Sequence, residues 1–186
     1  MKKLALLLIL ALPCGLVAAG TEMTLKGVTM PGTALVENKS LVLNGVGLRT
    51  KIVFKVYVAG LYLETPSSDG MAISSSEQLK HIELVFLRAV DGADVAKAIS
   101  DGFTNNAGIS LSALKDRIAK FEKLIPSVKK GDKLSFTYNP GTGVVIRADG
   151  RALGVIEGKD FGDALMRVWL GPKPSDKALQ NGLLGR

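Results

Sequence analysis

The chain has 186 residues, 24 Lys and Arg against 17 Asp and Glu, a net charge of +7, and a single His and a single Cys. So few soft ligands exclude the usual His/Cys zinc sites, Fe–S clusters and a disulfide framework. Hydrophobic residues make up 47% and charged residues 22%, and much of that apolar excess stands at the front.

Met1-Lys2-Lys3 is a positive start, Leu4 to Leu12 an unbroken Leu/Ala/Ile run, and Val17-Ala18-Ala19-Gly20 a set of small residues. That is the layout of a secretory signal peptide over residues 1–19. The apolar run falls short of the roughly 20 residues a membrane span needs. Ala11-Leu12-Pro13-Cys14 departs from a lipoprotein signal, because Pro13 stands where a small flexible residue is wanted. Cleavage near Ala19 removes Lys2, Lys3 and Cys14, so the expected product is a periplasmic or secreted chain held by its core alone. Its length fits one domain over residues 20–186.

From Thr24 to Leu43 the sequence reads as short strands, with Glu37-Asn38-Lys39-Ser40 turning Ala34-Leu35-Val36 onto Leu41-Val42-Leu43. Asn44-Gly45-Val46-Gly47 loosens the backbone before Leu48-Arg49. Lys51 to Leu63 is the strongest strand signal, apolar on both faces and therefore central. Gly60 marks a bulge or close packing near its end. After a loop over residues 65–70, Ser74-Ser75-Ser76-Glu77 fits a capping box opening a short helix. His81 to Arg88 is a second strand.

Asp91 is placed to cap a helix carrying Ala93, Ala96, Ile99 and Phe103 on one stripe, stopped by Asn105-Asn106-Ala107-Gly108. Ser110 caps the next, with Leu111, Leu114, Ile118, Phe121 and Ile125 at helical spacing and Pro126 beyond. Leu134 to Tyr138, Val144 to Ile146 and Ala152 to Ile156, joined by Asn139-Pro140-Gly141-Thr142 and Asp149-Gly150, predict a three-strand meander. Asp160 caps a helix with the stripe Phe161, Ala164, Leu165, Val168 and Trp169, and Ser175 caps a last one through Leu184. No strand–helix–strand repeat occurs. The fold class is α+β, a mainly antiparallel sheet with helices gathered on one face.

Several functions are excluded. The chain has no phosphate-binding GxxxxGK[ST] loop, and Gly45-Val46-Gly47 runs into Thr50 where a dinucleotide fingerprint wants its third glycine. The lysines are scattered, which with export argues against nucleic acid and for solubility or weak contact with anionic lipid surfaces. His81, at the start of an apolar strand, reads as a packing residue rather than a base. No cofactor is implied.

Arg49 stands out, in a Gly-rich lead into the most apolar strand. Period-2 counting puts Arg49, Lys51, Val53, Lys55, Tyr57 and Ala59 on one face. Two readings stand: an edge residue paired with a surface acid, or a planar fork gripping the oxygen of an anion whose apolar part enters the interior. The Tyr57 hydroxyl needs a partner if buried. The helix stripes, Trp169 included, read as core.

Gly45-Val46-Gly47-Leu48-Arg49-Thr50 followed by Phe54-Lys55-Val56-Tyr57-Val58-Ala59-Gly60-Leu61-Tyr62-Leu63-Glu64 resembles the bacterial chalcone isomerase-like proteins. Gly162-Asp163-Ala164-Leu165 and Trp169-Leu170-Gly171 fit the same family, and the resemblance runs from about Thr24 to Gly185. It implies the chalcone isomerase fold: an open-faced β-sandwich, a curved antiparallel sheet backed by a layer of helices.

The plant enzymes close a chalcone to a flavanone, and Arg49 resembles their key arginine in placement. Their threonine three residues before the strand glycine is matched here by Tyr57. Their helix tyrosine and asparagine fall at Gly92 and Ile99 in a gapless count, while a shifted alignment brings Asn105 or Asn106 nearer. Non-catalytic members hold a fatty acid by an arginine and a tyrosine, which Arg49 and Tyr57 resemble. The expectation is an exported, non-catalytic binder of a small amphipathic anion such as a fatty acid, with possible peripheral membrane contact. The alternatives are an intramolecular lyase using Arg49 as electrostatic catalyst, and an envelope protein with a closed cleft.

Overall fold

A computed structural model describes residues 20–106 and 111–186. The expected leader over residues 1–19, the Ala107-Gly108 part of the helix stop and the Ser110 cap lie outside the described residues. The chain begins with a small hairpin, β1 (Met23–Leu25) and β2 (Val28–Met30). A seven-stranded antiparallel sheet follows, in the spatial order β3 (Thr33–Val36), β4 (Lys39–Lys51), β5 (Phe54–Leu63), β6 (Lys80–Phe86), β7 (Lys133–Asn139), β8 (Gly143–Ala148) and β9 (Arg151–Ile156). Every strand pairs with its neighbour in sequence, so the helices enter as excursions: α1 (Gly70–Ser75) before β6, α2 (Gly92–Asn106) and α3 (Leu111–Leu124) before β7, and α4 (Lys159–Leu170) with α5 (Lys177–Leu183) at the end.

The turns explain the meander. Glu37 and Asn38 between β3 and β4, and Asp149 and Gly150 between β8 and β9, all have positive φ, the two-residue turn whose twist matches the strands it joins. Alternation then sorts the side chains. Ala59, Leu61 and Leu63 of β5, Ile82, Leu84 and Phe86 of β6, and Phe136 and Tyr138 of β7 point to the helix layer. Val58 and Tyr62 point the other way, under Met30 and Leu41. The main core is aromatic at its centre: the rings of Phe103 and Phe161 lie 5.3 Å apart, those of Phe121 and Phe136 5.6 Å, and those of Phe136 and Trp169 5.7 Å. Such pairs contribute about 1 kcal/mol each beyond their area.

The α+β class, the meander and the helix stripes stand as expected, with local corrections. The segment expected as one strand over residues 51–63 is split: β4 runs to Lys51, Ile52 and Val53 turn, and β5 begins at Phe54. Asn44 to Gly47 are not a loose lead but part of β4, with a register shift between Leu43 and Gly45. Gly60 sits in unbroken register, so close packing rather than a bulge accounts for it.

The helix caps shift too. Ser74 to Glu77 do not open a helix, since α1 ends there. Asp69 starts it, its carboxylate accepting the Met71 and Ala72 N–H groups at 2.9 and 3.0 Å. Asp160 lies inside α4, ion-paired to Arg117, and Gly158 holds the cap position. Asp176, not Ser175, caps α5, accepting the Leu179 N–H at 3.0 Å. On α2 the exposed Ala93 yields its place on the buried stripe to Val95.

Gly45 and Gly47 bring α5 onto β4. A Cβ at Gly45 would run into the Gly182 carbonyl oxygen, and one at Gly47 into that of Leu179. Only bare backbone admits the helix, and its N-cap is thereby set beside the end of β4.

Candidate functional site

A cavity of about 620 Å³ opens between the sheet and the helix layer at the β4–β5 end, within the range of small-molecule sites. Val56, Tyr57, Leu84 and Phe86 form its sheet wall. Val95, Ala98 and Ile99 of α2 and Val168 and Trp169 of α4 form its helix walls. The mouth is charged, with Lys51, Arg88, Asp91, Asp94 and Lys129 around it.

Arg49 and Tyr57 are direct partners in the β4–β5 ladder, followed by a register shift between Arg49 and Thr50. Direct partners in an antiparallel pair share a face, their Cβ atoms about 5 Å apart. The shift leaves Val56 as an extra residue on β5 and lets Val56 and Tyr57, neighbours in sequence, both line the cavity. Re-aiming a side chain is what bulges beside binding sites do. The two site residues thus meet across a hairpin, not along one strand as the alternation count had it.

The Arg49 guanidinium is half committed. Its Nη1 donates to the Thr50 carbonyl at 3.1 Å and the Ser175 carbonyl at 3.0 Å, with Asp176 Oδ2 at 3.5 Å. Asp176 is held in turn by the Thr50 N–H at 3.0 Å and by its cap bond to Leu179. Arg49 therefore pairs with an acid, as the first reading has it, and it also lines the hollow. Among the described residues no acceptor takes its Nε or Nη2, so one edge of the fork is open.

The Tyr57 oxygen accepts a hydrogen bond from Trp169 Nε1 at 3.1 Å, leaving its own proton for another acceptor. Its ring meets Phe86 edge-on at 5.6 Å. Burial pushes its pKa up, against the opposing pull of the Trp169 hydrogen bond and the Arg49 charge. The phenol is a proton donor at neutral pH. Trp169, read from the sequence as core, is both packed on Phe136 and part of the cavity wall.

The other polar positions go elsewhere. Gly92 opens α2 against the Ile125 carbonyl, and Ile99 gives the cavity an alkyl wall. Asn106 is tied into a corner: its amide donates to the Gly102 and Lys173 carbonyls and accepts the Lys173 N–H at 3.0 Å. Asp132 accepts the Lys129 N–H at 2.8 Å. His81 lies on the opposite face of the sheet, beside a smaller cavity of about 320 Å³. Its Nδ1 meets Thr137 Oγ1 at 2.8 Å, and burial lowers its pKa to about 4. Both cations there are already paired, Lys133 with Glu83 at 3.0 Å and Arg147 with Glu37 at 2.7 Å. Among the described residues no group of three or more His, Cys, Asp or Glu side chains could hold a metal.

A curled antiparallel sheet with helices on one face, and a cationic fork beside an apolar hollow, define an α+β protein of the chalcone isomerase fold. The chain belongs to the chalcone isomerase-like family, whose model matches residues 22–185. Among solved structures it is similar to the fatty-acid binding protein of Arabidopsis thaliana, with a TM-score of 0.73 at 15% identity, covering 88% of this chain and 96% of that one. Among curated proteins none matches by sequence.

Proposed function

We propose that the protein is an exported, non-catalytic binding module that holds a long-chain carboxylate such as a fatty acid. The head sits on the open edge of Arg49 and the Tyr57 hydroxyl, and the tail lies among Val56, Phe86, Val95, Ile99 and Val168. One observation carries this reading: a guanidinium and a phenol are paired across β4–β5 at the edge of an otherwise alkyl and aromatic hollow. A guanidinium edge grips a carboxylate through two parallel charge-assisted hydrogen bonds. Burial of the tail supplies about 0.8 kcal/mol per methylene. The fatty-acid binding protein of similar fold supports the ligand class, and the three-part leader supports export. In the gapless count the helix tyrosine and asparagine of the plant isomerases fall at Gly92 and Ile99, which offer no polar side chain, and this favours binding over turnover.

Trp169 is the chain's single tryptophan and stands in the cavity wall, so it reports directly on occupancy. Titrating delipidated protein with dodecanoate and hexadecanoate is expected to change its fluorescence to saturation at one ligand per chain. A flat titration, together with no fatty acid in an organic extract of the purified protein, overturns the proposal. Steady loss of chalcone absorbance above background replaces it with the lyase reading.

A further inference from the structure

The tip of the β4–β5 hairpin is built against the usual rules. Ile52, Val53 and Phe54 are 87%, 76% and 53% exposed, three large apolar side chains in a row. The other exposed large hydrophobics among the described residues, Met23, Leu35 and Met71, stand singly. Ile52 also has φ +59° and is the only one of the two turn residues with positive φ, a position that glycine favours. A β-branched residue in the left-handed region is strained, and among the described residues this one, so far exposed, has no packing to explain it.

The surroundings of the tip are cationic. Lys51 and Lys55 flank it, and the Arg88 guanidinium lies over the Phe54 ring, 4.5 Å from its centroid. The acids of the cavity mouth, Asp91, Asp94 and Asp132, stand on the α2 and β7 side of the rim. Lys51, Phe54 and Arg88 belong to the cavity wall as well, so the exposed tip continues into the mouth.

We propose that this tip docks the protein on an anionic phospholipid bilayer, Ile52 and Val53 entering the acyl boundary while Lys51, Lys55 and Arg88 sit among the headgroup phosphates. Apolar depth and flanking cations act together in such binding, each cation near the surface strengthening it about fivefold. A docked tip holds the cavity mouth against the lipid, so a ligand passes between bilayer and cavity without crossing water. That last step rests on the ligand proposed above, whereas the docking itself does not.

Flotation with phosphatidylcholine vesicles, with and without phosphatidylglycerol, tests the surface on ligand-free protein. The chain is expected to float with the anionic vesicles alone and to be released by salt. Ile52→Gly/Val53→Ser, two residues outside the cavity wall, is expected to bind those vesicles at least about tenfold more weakly. It should unfold at the same temperature or higher, because glycine relaxes the turn, and its Trp169 response to fatty acid should be unchanged. Lys55→Gln is expected to weaken vesicle binding about fivefold. Three results overturn the proposal: wild-type protein that stays at the bottom, a double variant that floats as well as wild type, or a solution dimer that the double variant dissociates. The last would show that a second copy covers the tip.

Discussion

Arg49 and Tyr57 are direct partners across β4 and β5, and Oδ2 of Asp176, the residue that caps α5, lies 3.5 Å from the guanidinium. The arginine thus has a phenol-bearing partner in the ladder and a carboxylate beside its Nη1. The resident carboxylate orients one edge of the fork, and it also competes with any anion that approaches the other.

Asp176→Asn separates these roles. Asparagine caps a helix as well as aspartate does, but its single amide oxygen accepts only one of the two N–H groups, Thr50 and Leu179, that the two carboxylate oxygens take separately. The cost in stability is expected at about 1–3 kcal/mol, with the N–H that loses its acceptor the main term and the lost charge near the helix N-terminus a smaller one. With the competing charge gone, fatty-acid affinity is expected to rise about three- to fivefold, the scale of a partly exposed ion pair. Weaker binding in the Trp169 titration would mean that Asp176 supports the ligand rather than opposing it.

Tyr57→Phe keeps the ring against Phe86 and removes the oxygen. Trp169 Nε1 then loses the acceptor it has at 3.1 Å. An unpaired buried donor costs about 1–3 kcal/mol, which denaturant unfolding should read directly. The lost hydrogen bond to the ligand head should weaken binding about fivefold. Unaltered stability would show that water replaces the phenol, and unaltered affinity that the head does not reach it.

His81 makes stability depend on pH. Its ring lies between Thr137 and Tyr62, with Glu83, Lys133 and Arg147 around it, and desolvation holds its pKa at about 4 against an ordinary 6.5. The unfolded chain therefore binds the proton more tightly. Stability from the neutral ring is full above about pH 6.5 and is lost as pH falls through about 4, by up to about 3 kcal/mol. Chemical unfolding of wild type and His81→Gln at near-neutral pH and near pH 4 should show a smaller acid loss in the variant. Equal losses would place the acid sensitivity in the carboxylates.

The parts legible in the sequence were those with local punctuation. Asp149-Gly150 marks a hairpin because both residues tolerate positive φ, and the meander follows. The β4–β5 turn was hidden because Ile52, Val53 and Phe54 are strong strand formers with no Gly, Asn or Pro among them. The alternation count placed Arg49 and Tyr57 on one face along a single strand. The structure places them there by pairing, through a turn and a bulge that the count could not see. Asp176 is not legible as the cap because Ser175 beside it is an equally good one, and the choice is made by contact with Thr50 and Arg49, 126 and 127 residues earlier. Trp169 reads only as core from the sequence, because helical spacing is the same whether a stripe meets another side chain or an open hollow. The cavity itself is a matter of packing volume, on which periodicity is silent.

The most direct measurement is the ratio of affinities for a fatty acid and its methyl ester, taken by Trp169 fluorescence in wild type and in Arg49→Gln. The tail contribution cancels in that ratio and the head remains. Wild type is expected to prefer the acid at least about tenfold, the worth of a charge-assisted hydrogen bond, and Arg49→Gln to bind the two alike. A wild type that does not tell acid from ester, or a variant that keeps the full preference, would contradict the anchor at Arg49.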